Sequence, residues 1–387
     1  MQLRNFVRRH KWRLRPIKRA VLPLRNLKRA GVALLRRPPV IARSTINHAG
    51  ASLAAARQIY SAEPVQSLPH PWVDSKEDEA LSEAAWIFEL KNIDFWGRYG
   101  GSVLTGDNYL LADLSPEVWG VKNHPIFSQL RLPKPRPLSG RTAIAVTAEA
   151  PGNYYHWLID LLPRLCLIRS SDGFESFAHL LLNGSRAHYE ESSFQALGVP
   201  PEKIFYVDAR DRFQIEEAII PSMDHFSKVI APWKIRTLRA VRDSLPRRER
   251  GLARRLYISR KRAAVRRVMN EPELERILRD AGFTAVELES CSWPEQVAMF
   301  ADAEVILAPH GAALANTVFC QPGALLVEIS TRAGYRDYYL RLAASSGVRY
   351  RFLEARPRVT ASSSIRATEN ENMIIDLNSV QDLLRSL

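Results

Sequence analysis

Along most of this chain, short apolar runs alternate with stretches in which apolar residues recur every three to four positions, the contrast that separates strands from amphipathic helices. Residues 142–146 (Thr-Ala-Ile-Ala-Val) read as a strand and 153–168 as a helix; 178–182 is a strand, 190–197 a helix, and 204–207 and 215–220 are strands. Strands alternating with helices predict a parallel sheet covered on both faces. Residues 231–245 predict a connecting helix, after which the pattern restarts. Strand 255–259 is followed by helix 270–280, with Pro272 in its first turn and Gly282 beyond its end. Strand 284–288 precedes a helix opened at Ser292, where Glu295 completes a capping box. Strand 305–308, a short helix over 312–319, strand 324–329, helix 335–344 and strand 348–353 complete the series. Upstream, apolar runs between 84 and 119 are broken by Gly100-Gly101 and by 105–108, which predicts a small antiparallel layer packed on the first α/β unit.

These patterns divide the chain into a basic tail (1–45), a linker (46–80), an N-terminal α/β domain (81–230), a connecting helix and hinge (231–251), a second α/β domain (252–355) and a C-terminal extension (356–387). The expected architecture is two Rossmann-like domains facing a cleft.

Charge changes the picture at one end. The 387 residues hold 55 Lys and Arg against 41 Asp and Glu, yet residues 1–43 alone hold 14 of the bases and no acid. The body therefore balances at 41 against 41, which argues against an extended nucleic-acid surface on the folded part. In the tail, bases mix with Phe6, Trp12 and Leu24, a composition suited to an anionic membrane surface. A partnerless disordered arm, a nucleic-acid-binding arm and an organelle presequence share that composition. No apolar run approaches the roughly 20 residues that span a bilayer. Cys166, Cys291 and Cys320 are widely spaced, fitting a reducing compartment and a role as small buried hydrophobes. The expected location is cytoplasmic, peripheral on the inner face of the cytoplasmic membrane.

Missing motifs narrow the chemistry. There is no Gly-x-Gly dinucleotide fingerprint, no Gly-Lys-Ser/Thr phosphate loop, no Asp-x-Asp metal pair and no zinc-type histidine spacing. A dehydrogenase, a P-loop enzyme and a metalloprotease are disfavoured, and no metal is expected.

Three constellations remain. On the helix 153–168, His156 and Asp160 are four apart and share a face with Arg164, so a carboxylate can orient an imidazole and raise its basicity. A surface ion pair has the same spacing, but Trp157, Leu158, Leu161 and Leu162 argue for a buried helix. At the end of strand 255–259, Ser259, Arg260 and Lys261 offer a hydroxyl and two bases where α/β domains bind ligands, with Asn270 further on. A solvated basic loop is the competing reading, given Arg266-Arg267 nearby. Third, in residues 305–316, Pro309 stops a strand, Gly311 permits a turn, and the amides after His310, from Gly311 and Ala312, open a helix whose N-terminus suits a phosphate.

Together these segments resemble glycosyltransferase family 61, which includes bacterial capsular and exopolysaccharide enzymes. The matching pieces are residues 155–165 (Tyr-His-Trp-Leu-Ile-Asp-Leu-Leu-Pro-Arg-Leu), Ile258-Ser259-Arg260 with 270–274, residues 309–316 (Pro-His-Gly-Ala-Ala-Leu-Ala-Asn), Pro322-Gly323 and Val327-Glu328-Ile329. They run in order over residues 80 to 355. Ala313 departs from the pattern, which more often has glycine there. The resemblance implies a GT-B fold, a nucleotide-sugar donor, UDP-linked, held mainly by the C-terminal domain, and inverting transfer to a glycan or glycolipid hydroxyl. Ser259, Arg260 and Lys261 would hold the diphosphate opposite the amides after His310; Asn316 and Glu328 would meet the nucleoside or sugar. The base would be His156 or Asp160, with His310 the alternative. A non-catalytic, membrane-associated assembly protein with the same fold is the rival reading.

Overall fold

The computed structural model describes residues 38–66, 68, 70, 79–98, 100–115, 117, 121–223, 230–246, 253–358 and 370–387. The expectations for the basic tail and the polar hinge around 247–251 fall largely outside these residues.

The first sheet has nine strands: β1 (Val40–Ala42), β2 (Leu53–Tyr60), β3 (Ala85–Trp96), β4 (Ser102–Leu104), β5 (Tyr109–Leu111), β6 (Arg136–Ala145), β7 (His179–Leu182), β8 (Ile204–Tyr206) and β9 (Arg212–Pro221). Their order is β1-β5-β4-β3-β9-β6-β7-β8, with β2 paired to β3. The run β9-β6-β7-β8 is parallel, as the alternation of strands and helices requires. The antiparallel strands do not form a separate layer packed on it. β3 pairs along its length with β9, so they extend the same sheet. Where β3 and β9 pair, Ile87 and Ile219 join one apolar cluster and Phe88, Ala218 and Ile220 the other, so this part of the sheet is covered on both faces and one sheet continues where two layers were expected. Strand β2 lies in the stretch expected to be linker.

The second sheet contains β10 (Arg255–Ile258), β11 (Thr284–Val286), β12 (Val305–Pro309), β13 (Leu325–Ser330), β14 (Arg349–Pro357) and β15 (Met373–Ile375), in the order β11-β10-β12-β13-β14-β15. Its first five strands are parallel. The antiparallel edge strand β15 comes from the expected C-terminal extension; Met373 and Ile375 are buried, and the helix Leu377–Arg385 buries Val380 in the same core. The terminal segment is therefore an integral part of this unit.

One apolar cluster joins the two sheets. It includes Trp157, Leu161 and Leu165 on the first side and Ile306, Leu314 and Phe319 on the second, with Trp233, Ile235 and Leu238 of the connecting helix Pro232–Ser244 between them. That helix also caps its neighbour. Arg239 donates to the carbonyls of Val318 (3.1 Å) and Cys320 (2.8 Å), and Arg242 to that of Phe319 (2.8 Å). These bonds satisfy carbonyls at the end of the 3-10 helix Ala312–Phe319, where cations are favoured. Cys166 and Cys320 are buried, and burial pushes both thiols up to about 12, as expected of inert apolar cysteines.

Candidate active site

In chain order the parallel strands of the second sheet lie second-first-third-fourth-fifth, so the topology reverses between β10 and β12. Ligand crevices in open parallel sheets form outside the carboxyl ends at such a point. Here Ser259-Arg260 leave β10 and His310-Gly311 leave β12, side by side. A cavity of about 260 Å³ opens there, lined by His310, Gly311, Ala312, Arg266, Arg336 and Tyr339 from this unit and by Asn153, Tyr155 and His156 from the other.

Gly311 does not serve as a turn. Its φ of 176° is extended backbone open to any residue. What requires glycine is Arg260, because a Cβ on Gly311 would stand 2.8 Å from the guanidinium Cζ. The segment after it is a helix over the expected residues, but of the 3-10 type. Ala313 packs against the shared core.

Among the described residues Arg260 is held by one hydrogen bond, Nη2 to the Val265 carbonyl at 3.3 Å. Arg266 stands beside it with φ of 60°, a left-handed conformation that costs free energy in a non-glycine residue. Burial, and then the charge of Arg266, pull the Arg260 guanidinium below its ordinary value; burial acts on Arg266 in the same way. The Nε atoms of both are shielded from solvent and meet no hydrogen-bond partner among the described residues. Two like charges so placed leave a site short of an anion. Arg266 was legible in the sequence only as part of a solvated basic loop; the backbone geometry at residue 266 is what brings it to the cavity.

Lys261 does not join Arg260. Its Nζ pairs with Glu287 at 2.5 Å and its side chain is 54% exposed. Ser259 is buried, and its hydroxyl accepts from the Lys261 amide at 3.2 Å, fastening the loop. Asn270 is likewise placed elsewhere. It donates to the Ile375 carbonyl (2.8 Å) and accepts from the Ile375 amide (3.0 Å), holding edge strand β15.

On the opposite wall, the helix carrying His156 consists of Tyr154–His156, a π turn Trp157–Leu161 and Leu162–Asp172. Pro163 has no N–H for the carbonyl of Ile159 and its ring crowds that carbonyl, so the widened turn lets the helix pass through it. His156 Nδ1 donates to Asp160 Oδ2 at 2.6 Å. Its Nε2 lies 3.5 Å from Glu149 Oε2. Asp160 keeps 33% of its side-chain surface open but does not line the cavity. Burial opposes its charge, while the His156 bond and the His156 and Lys234 charges hold the carboxyl below its ordinary value. Arg164, on the same helix, is buried and donates to the carbonyls of Val146 and, at 2.9 Å, Pro221, closing the ends of β6 and β9. It is structural.

A second histidine–carboxylate pair faces the first. His310 Nδ1 donates to Glu328, which is fully buried on β13 and also accepts from the Tyr350 hydroxyl at 2.6 Å. Burial and the Glu328 charge push the Tyr350 phenol far up, so it remains a donor. Glu328 thus orients His310 and does not itself line the cavity. Asn316 is also fully buried beneath the cleft. Its Oδ1 accepts from the Tyr154 hydroxyl and its Nδ2 donates to Gln296 at 3.2 Å, while Trp293 Nε1 donates to Tyr154 at 2.9 Å. This set joins the two halves of the molecule and does not contact the cavity.

No curated protein matches the chain. The family model Glycosyltransferase 61 matches residues 154–327, from the helix bearing His156 to strand β13. That span holds residues from both walls of the cleft, Tyr155 and His156 on one side and Arg266, His310, Gly311 and Ala312 on the other, and over it the chain matches glycosyltransferase family 61.

Proposed function

We propose that this protein is an inverting glycosyltransferase that moves a sugar from a nucleotide-sugar donor, UDP-linked, to a hydroxyl of a glycan or glycolipid in capsular, exopolysaccharide or lipopolysaccharide biosynthesis. The observation that carries the reading is one cavity that sets Arg266 opposite a histidine oriented by a carboxylate, with the guanidinium of Arg260 packed against Gly311 of the cavity wall and its Nε, like that of Arg266, without a partner among the described residues. The six-stranded sheet is then the donor half of a GT-B layout and the parallel run of the first sheet the acceptor half.

In this mechanism Arg260 and Arg266 bind the diphosphate and stabilise the charge that grows on it as the glycosidic bond breaks. His156 Nε2 takes the proton of the acceptor hydroxyl. The acceptor oxygen bonds to the anomeric carbon from the opposite face, and the bonding pair leaves with the nucleoside diphosphate. Asp160 fixes the imidazole tautomer through Nδ1. His310, held by Glu328 on the donor side, contacts the donor. With arginines supplying the positive charge, we place the reaction in the metal-independent class, and activity in excess chelator tests this directly. Residues 1–43 would seat the enzyme on the inner face of the cytoplasmic membrane; their removal should abolish binding to anionic vesicles and leave donor binding intact.

The central experiment pairs two variants. Arg260→Ala should weaken UDP binding by calorimetry about ten- to a hundredfold, the ~1.5–3 kcal/mol of a charged hydrogen bond. His156→Ala should lower turnover about 10²- to 10⁴-fold with donor affinity retained. Unchanged UDP affinity in the first, or near-normal turnover in the second, overturns the corresponding assignment.

A further inference from the structure

Lys234 lies in the first turn of the connecting helix Pro232–Ser244 and is 2% exposed. Two physical terms oppose a charged lysine there. Burial removes its hydration, and the helix N-terminus already carries partial positive charge. What faces it is Asp160, whose Oδ1 stands 3.6 Å from Nζ. The other oxygen of Asp160 takes the His156 Nδ1 proton. Lysine, carboxylate and imidazole thus form a line from the connecting helix to the cavity.

The line ends on a second carboxylate, Glu149, 3.5 Å from His156 Nε2. The imidazole therefore has an acid at each nitrogen. The ring of Tyr155 meets its edge, and Arg266, His310, Arg336 and Tyr338 share the cavity. Two carboxylates alone would hold a proton on this ring, because opposite charge favours the protonated form. A ring already protonated has no lone pair to receive the acceptor's proton. With Lys234 counted, the group of Glu149, Asp160, Lys234 and neutral His156 carries −1, and it reaches zero when the ring accepts a proton. Without Lys234 it would pass from −2 to −1.

We propose that Lys234 is a positioning residue that sets the proton affinity of His156: it holds Asp160 in place and offsets one of the two flanking carboxylates, so that the imidazole stays free to accept the acceptor's proton. The proposal rests on the reading of His156 as base, and its test separates the two.

The experiment is a histidine NMR titration of the full-length protein, with the His156 signal assigned by its loss in His156→Gln. Lys234→Met should move the His156 midpoint up by about one pH unit, roughly a tenfold gain in proton affinity. The acidic limb of the turnover–pH profile should move with it, and UDP affinity should not change. Lys234→Arg should keep the wild-type midpoint. If Lys234→Met does not melt cooperatively, Lys234→Gln, which can still hydrogen-bond to Asp160, takes its place. A midpoint that stays put or falls in a folded variant overturns the proposal. A midpoint that rises while the acidic limb stays put overturns His156 as the base.

Discussion

The guanidinium of Arg260 occupies the space that a side chain on Gly311 would fill, its Cζ lying 2.8 Å from the position of a Cβ. The glycine after His310 is thereby tied to an arginine 51 positions earlier, on the neighbouring strand's loop (311 − 260 = 51). Gly311→Ala should expel Arg260 and lower UDP affinity by about as much as Arg260→Ala, on the order of ten- to a hundredfold. The double variant should add little to either single change, because both remove one interaction. Additive losses by calorimetry would separate the two residues.

Asn316 looks in the sequence like a ligand residue, and its bonds make it a latch. Tyr154→Phe leaves Asn316 Oδ1 and Trp293 Nε1 without their partner in a buried place. Each orphaned group costs ~1–3 kcal/mol, so the melting temperature should fall by several degrees. Asn316→Ala should fall similarly, with the donor KM of the folded fraction unchanged. A raised donor KM without a stability loss would return Asn316 to the cavity.

Asn270 makes the same point at the other end of the sheet. Asn270→Ala removes both bonds to Ile375 and should cost ~1–3 kcal/mol in chemical denaturation. Hydrogen exchange should then quicken in Met373–Ile375 before the rest of the sheet, while UDP affinity stays at its wild-type value.

Acid should destabilise the fold through His124. The ring is fully buried, with Nε2–H donating to the Gly101 carbonyl at 3.1 Å and Nδ1 accepting from the Ile126 amide at 3.2 Å. Burial pulls its pKa from 6.5 to about 4. The unfolded chain therefore binds this proton first. Its contribution is complete above pH 6.5 and is lost as pH falls toward about 4, by roughly 3 kcal/mol in all. His124→Asn should flatten stability against pH across that window, and an unchanged slope would mean that other groups control it.

Much of the second unit was legible because its signals are local. Apolar runs, the Ser292–Glu295 capping box and Pro272 at a helix start act within a few residues, so the strand and helix order could be read directly. The histidine–carboxylate pair at 156 and 160 was legible for the same reason, since four residues on a helix is a fixed distance. The antiparallel strands were read as a separate layer because strand pairing joins residues far apart, such as Ile93 and Ile215, and no local pattern names the partner.

The site residues divide on the same line. Sequence alone determined which residue types stand at the carboxyl ends of β10 and β12, and thus that bases, a histidine and a glycine would gather there. Only the tertiary structure decided which of them face the cavity. Lys261 turned to Glu287, Asn270 to Ile375, Glu328 to His310 and Asn316 to Tyr154, while Arg266 and Arg336 came in from loops. The partners of those first four side chains lie between 18 residues away, for Glu328, and 162, for Asn316. A polar side chain near a cleft settles on whatever complementary group the packed chain brings within reach, and that choice is made by the fold.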